Sequence, residues 1–407
     1  MRATRFTTWQ RGVARGETHS LRAMFLLLLV AHCVVVSAQH PPPPPREGPA
    51  DASRTVPDFV TRHAPLVWLH SLDPFRPSDL LTHVRHTTPM VDQKPLPDLP
   101  PMTLDNLALL NDRGAVPVAL TSNDDVTTLP SWLLGDVPDE TGKTANATSC
   151  VVILVEKSPD QVDAFYFYFY SEHNMVRFYK GKPVGIYYSQ HEDGAAYAWT
   201  HMGISLKHER PLVFSAYGSH ANYASDGDHI HDGALVDYCD AGILWDPVSS
   251  AYFYRFDAES SQLTRIFSAA PSTPHDSNLT SFLYFTGLWG DAQYPDEHPL
   301  QKTVPYFGLK RFVSGPRGPM AKQLVRRGLF PDNRGRKSWI QWAVGVFMMW
   351  YPCCIRGWRK WISSLVLLAT SLVGVLALRH VVTRYRRRKG YKRLEMEIPL
   401  SDREHEA

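Results

Sequence analysis

The chain has almost no charge excess: 43 Lys and Arg face 40 Asp and Glu across 407 residues, a formal net charge of +3. That balance gives no ground for nucleic-acid binding, and what basic excess exists gathers at the two ends, beside apolar segments. Phosphate-cradling loops, Cys-x-x-Cys pairs and dinucleotide fingerprints are absent, which removes the usual nucleotide and thiol-redox chemistries. No Gly-x-Ser-x-Gly elbow is present either, so "YGSHA" offers Ser219 or Ser215 without the turn that exposes a nucleophile. Adjacent Ser219 and His220 on a strand would also point to opposite faces. Cysteine is scarce, with five in all, and long helical periods are few.

What the chain does have begins with a leader. Arginines at 2, 5, 11, 15 and 22 precede "AMFLLLLVAHCVVV", an apolar run closed by Ser37-Ala38-Gln39. A basic stretch, a short apolar core and small residues at the cut make a secretory signal, predicted over 1–38. Near the other end, Trp361 to Leu378 is an 18-residue run without charge, long enough to span a bilayer as a helix. Eight Lys or Arg follow between Arg379 and Arg393. Such a cluster stays cytoplasmic and is drawn to anionic lipid. Together these features predict a type I, single-pass membrane protein.

Three further features fit that topology. The sequons at Asn146 and Asn278 are glycosylation sites if lumenal. Cys33 leaves with the signal and Cys353 and Cys354 sit near the membrane, so Cys150 and Cys239 remain to pair in an oxidising compartment. In the tail, "YKRL" from Tyr391 to Leu394 looks like a tyrosine-based sorting signal for clathrin adaptors.

Between the ends, a proline-rich linker at 39–58 leads to a globular region at 59–330. "PSDLLTHVRH" reads as a short helix with Ser78 at its N-cap, and the proline-punctuated stretch from Pro89 to Pro130 as ordered loop. From Cys150 the pattern turns to strands: "CVVILVEK", "VDAFYFYFY", "MVRFY", "VGIYYSQ", "PLVFSAY", "ALVDY", "AYFYRF" and "FLYFTGLW". Alternation sets Phe165, Phe167 and Phe169 on one face, for packing, and Tyr166, Tyr168 and Tyr170 on a semi-polar one. The prediction is a mainly β fold: an antiparallel β-sandwich with few short helices, followed by one C-terminal transmembrane helix. An interfacial helix at 338–352, the span at 361–378 and a basic tail at 379–407 complete the chain.

The densest polar cluster joins "YSQHEDG" with "SAYGSHANYASDGDHIHDG". Carboxylates suit Ca²⁺ or Mg²⁺ and imidazoles suit Zn²⁺, so His191, His220, Asp226, Asp228, His229 and His231 are candidate ligands, with Glu172 and His173 after the aromatic strand. The alternative for all of them is a solvated loop that caps strand ends.

"HAPLVWLHSLDPFRPSDLLTHVRHTTP", "LDNLALLN", "EHNMVRFYKGKPVGIYYSQHEDGAAYAW" and "RPLVFSAYGSHANYAS" closely resemble the fungal vacuolar protein sorting-associated protein 62 family. The resemblance implies a part in protein traffic to the vacuole, with no reaction attached. Family members carry a His-x-Gly-Asp-Trp-Glu-His element before "NMVRF", whereas here Ser171 runs directly into Glu172-His173, as if a block were missing. That element is itself similar to a cation-binding motif of necrosis-inducing β-sandwich proteins, to which Glu172 would be the surviving match.

The sequence therefore predicts a membrane glycoprotein of the secretory or endosomal–vacuolar system. Its lumenal domain binds an unidentified ligand or cargo, and its tail meets lipid and adaptors. The alternative is a divalent-cation-dependent lumenal enzyme or membrane-active protein with its site at Glu172, His191 and His220.

Overall fold

The computed structural model describes residues 10–11 and 54–396, apart from 115, 171, 192, 232–234, 268–278, 305–308, 334–338, 340–342, 345, 347–353 and 355–356. The signal cleavage point, residues 39–53 of the linker, Asn278 and most of the 338–352 segment lie outside these residues. The chain divides into two compact units, one of residues 1–229 and 237–336, the other of 230–236 and 337–407.

The first unit is built on two large sheets. After helix α1 (Asp58–Arg62) come β1 (Leu66–Leu69) and helix α2 (Leu80–Arg85). A meander follows: β2 (Cys150–Ser158), β3 (Gln161–Tyr168), β4 (His173–Tyr179), β5 (Lys182–Gln190) and β6 (Asp193–Ala198). Then come β7 (Leu206–Lys207), β8 (Arg210–Ser215), β9 (Asn222–Tyr223), β10 (Ile243–Trp245), β11 (Ala251–Asp257) and β12 (Gln262–Ile266). The seven-stranded sheet runs β6-β5-β4-β3-β2-β11-β12, and the five-stranded one β7-β8-β1-β10 with β9 beside β8. Two seams are parallel, β11 with β2 and β8 with β1, so the sandwich is not purely antiparallel.

Both faces of the seven-stranded sheet are packed. Val152, Leu154, Tyr166, Tyr168, Val176 and Tyr188 meet Val67, Leu69, Val213 and Trp245 of the five-stranded sheet. On the other face Ile153, Phe165, Met175 and Tyr254 meet Leu80, Val84, Leu107, Phe282 and Trp289. The tyrosine face predicted as semi-polar is therefore a core. Phe165 and Tyr166 are both fully buried, and Tyr166 donates its hydroxyl proton to Val60 O at 2.7 Å. Satisfying that one polar atom lets the ring contribute the ~2 kcal/mol or more that burial of such a side chain supplies.

Local departures have local causes. Asp79, not Ser78, caps α2, its carboxylate accepting from Thr82 N–H at 2.7 Å. The stretch read as loop contains strands at Thr87–Val91, Lys94–Pro95 and Ala119–Ser122 in one small sheet. "FLYFTGLW" is not a strand: Ser281–Tyr284 is a helical turn that buries the consecutive residues Phe282 and Leu283, which an alternating strand cannot do on one face. Cys150 and Cys239, predicted to pair, are separate buried free thiols. Cys150 lies between the sheets, and Cys239 lies with Phe214 and Tyr223.

In the second unit, helix α3 runs from Arg359 to Met396. Residues 359–389 are long and apolar enough to cross a membrane, so the helix carries the predicted span and continues through the basic cluster. Tyr391 and Leu394 fall in its last turns.

Candidate functional site

The polar residues gather where the β3–β4 connection, the end of β5 and the turn after β8 supply buried acids and histidines. β3 ends at Tyr168 and β4 begins at His173, with Phe167 paired to His173 and Tyr168 N–H bonded to Glu172 O.

The first network centres on Asp73, buried to 1% exposure. Its carboxylate accepts from Phe75 N–H at 2.9 Å, Gly218 N–H at 2.8 Å and His220 Nε2 at 2.9 Å. His220 Nδ1 donates to Tyr170 O at 2.8 Å, and the Tyr170 ring stacks on the imidazole at 4.0 Å. Burial alone would raise the Asp73 carboxyl. The hydrogen bond and charge of His220 and the two backbone amides outweigh it and hold the group below the ordinary carboxylate range. Both His220 nitrogens face oxygen acceptors, one on each side of the ring. The pair clasps three segments distant in sequence.

A second network centres on Asp237. Ser219 Oγ donates to Oδ1 at 2.8 Å, while Tyr223 OH at 2.7 Å and His191 Nε2 at 2.8 Å meet Oδ2. Ser219 and His220 do point apart, each to its own carboxylate. The carboxylate sits between Ser219 and His191, so the histidine that a nucleophilic serine needs at its oxygen is bonded to the acid instead.

Glu172 accepts from Ser189 Oγ at 2.8 Å. His173, buried in β4, offers Nε2 to Arg326 Nη2 at 2.9 Å; only a neutral imidazole has the lone pair for that bond. Arg326 is itself buried, with its guanidinium over the Phe165 and Tyr187 rings at 4.9 and 4.8 Å. Burial pulls that guanidinium down to about 10. Burial first, then the charges of Arg326 and Lys322, hold His173 well below its usual range. His229 bonds Ser225 O at 2.9 Å and stacks on Tyr223 at 3.9 Å. Asp226 is exposed, and Asp228 and His231 are half-buried on or beside the strand Gly227–His231.

Of the predicted metal ligands, His220 commits both ring nitrogens to Tyr170 and Asp73, and His173 commits Nε2 to Arg326. His191, by contrast, belongs with Asp237 to a group of side chains whose ligand atoms lie within 4.8 Å of one another and could hold a cation. Sequence reasoning missed Asp73, Asp237 and Arg326. Asp237 carried a signal, being an acid in phase with buried Cys239; Asp73 and Arg326, in loops, carried none.

The fold and site define a class: a two-sheet β protein with buried acid–histidine clasps and one C-terminal helix able to span a membrane. No protein-family model matches the chain, and no solved structure matches it. The vacuolar protein sorting-associated protein TDA6 of Saccharomyces cerevisiae is 33% identical over 345 residues, covering 71% of this chain and 71% of the relative. Vacuolar protein sorting-associated protein 62 of the same yeast is 30% identical over 326 residues, covering 67% of each. The chain belongs to the vacuolar protein sorting-associated protein 62 family.

Proposed function

We propose that this chain acts in protein sorting to the vacuole as a single-pass, type I membrane glycoprotein whose sandwich domain is lumenal and binds a ligand or cargo. The observation that carries the reading is the similarity, over 71% of the chain, to a relative named for vacuolar protein sorting. The apolar helix at 359–389 supports membrane attachment, and exposed Asn146 offers an accessible sequon. The buried Asp73–His220 and Asp237–His191 contacts favour a binding scaffold over a hydrolase, because neither leaves a serine beside a free base.

The test is routing of a vacuolar hydrolase in host cells that lack the chain. Secretion of the hydrolase should rise, and be restored by the full chain but not by one ending before Arg359. Unchanged routing sinks the sorting role. Protease protection with tagged termini checks orientation separately. Tyr391→Ala should mislocalise the protein if "YKRL" is read by adaptors, and unchanged localisation removes that part.

A further inference from the structure

The two edges of the seven-stranded sheet are finished differently. Along β12, the Arg265 guanidinium lies over the Tyr252 and Phe267 rings at 5.0 and 5.1 Å. Just beyond it Phe267 exchanges backbone bonds with residues 54–56, Val56 N–H to Phe267 O at 2.9 Å and Phe267 N–H to Arg54 O at 2.8 Å. Charge and cover are the devices that keep a sheet edge from templating another strand.

At the opposite edge β6 carries a charge only at its first residue, Asp193. Gly194 to Ala198 contains no charge and no proline. Its pairing with β5 runs through six residues without a register shift, while the β2–β3 and β4–β5 seams are each bulged. Residues 194–197 are half-exposed and Ala198 is exposed. Beyond the β5 seam, the amides and carbonyls of 194–197 bond no other described residue. A straight, neutral, open row of donors and acceptors is what an added strand requires.

We propose that β6 pairs antiparallel with β6 of a second copy, joining two seven-stranded sheets across a two-fold axis. The side chains select this occupant. Centred on Ala196, the pairing sets Ala195 opposite Tyr197 and Gly194 opposite Ala198, so the one bulky ring meets a methyl group. In the same register Asp193 falls opposite Trp199, so this residue meets no like charge. A parallel, in-register pairing would instead set Asp193 beside Asp193, and its head-to-tail symmetry would not close. Five residues, Gly194 to Ala198, at about 3.4 Å make a seam of about 17 Å. That is short for an interface near 1,000 Å², so the free dimer is weak, roughly micromolar. If both copies share one bilayer, as the membrane reading has it, the effective concentration rises; the pairing itself does not depend on that reading.

The experiment uses the full chain in detergent micelles. Ala196→Cys places two cysteines across the axis with Cα atoms about 4.5–5.5 Å apart, within disulfide range. Mild oxidation should give a covalent dimer above the background of the parent chain, and Val184→Cys, exposed on β5, should not. Sedimentation over about 1–100 µM should show a concentration-dependent dimer, weakened at least about tenfold by Ala195→Lys with Ala198→Lys, whose like charges crowd the seam, while thermal unfolding of the monomer stays unchanged. A monomer throughout that range with no cross-link overturns the proposal. So does a dimer indifferent to the lysines, or a monomer whose β6 amides are protected only by a strand from another polypeptide.

Discussion

Acid should loosen this domain through a histidine that does nothing else. His83 in α2 is fully buried, and neither ring nitrogen has a hydrogen-bond partner among the described residues. Its ring sits among Trp132, Phe169 and Trp289 at 6.1, 5.0 and 6.0 Å. Burial first, with the charge of His86 acting in the same direction, holds it well below its ordinary value of 6.5. The unfolded chain protonates His83 near 6.5 while the folded chain keeps it neutral. Stability is therefore full above that pH and is lost as pH falls below it, towards the folded value. Each pH unit in that window costs about 1.4 kcal/mol per histidine, so His83 alone removes about 1.4 kcal/mol between pH 7.5 and 5.5. His173, also buried and depressed, removes a similar amount. His83→Phe, which fits the same aromatic surroundings, isolates the first contribution. Urea unfolding followed by tryptophan fluorescence should show the stability difference between variant and parent growing by about 1.4 kcal/mol over those two pH units. A difference constant with pH would refute the reasoning.

Asp73→Asn breaks the ion pair with His220 and should cost about 3–5 kcal/mol in the same assay at pH 7; under 1 kcal/mol would deny that the pair clasps the fold. In the parent, the Asp73 contribution is present above the ordinary carboxylate value of 3.8 and is lost as pH falls below it. Tyr166→Phe removes the bond to Val60 O and should cost about 1 kcal/mol, read from the urea midpoint. Glycosidase treatment should increase gel mobility, with Asn146→Gln reproducing part of the shift; an unmoved band counts against lumenal exposure. The cation-dependent alternative expects about one bound ion per chain by elemental analysis, lost in Glu172→Ala and His220→Ala. A metal-free purified chain would remove it.

Strand pairing was legible wherever apolar residues alternate or run on: the meander from Cys150 to Gln190 appears close to its predicted segments. The parallel β2–β11 seam was not legible, because it joins residues about a hundred positions apart and nothing in either strand encodes its neighbour. The candidate site was half visible. His191 and His220 stood out by type, but their partners Asp237 and Asp73 come from segments whose proximity only closure of the sheets creates.

The sequence by itself determined the apolar helix near the C-terminus, the mainly β character and the family. These depend on run length, alternation and residue identity, all local properties of a chain. Tertiary structure decided that the tyrosine face of β3 is core, that Cys150 and Cys239 stay apart, and that the histidines face carboxylates, carbonyls and a guanidinium. Burial and partner choice are properties of pairs, and pairs distant in sequence exist only once the sheets have packed.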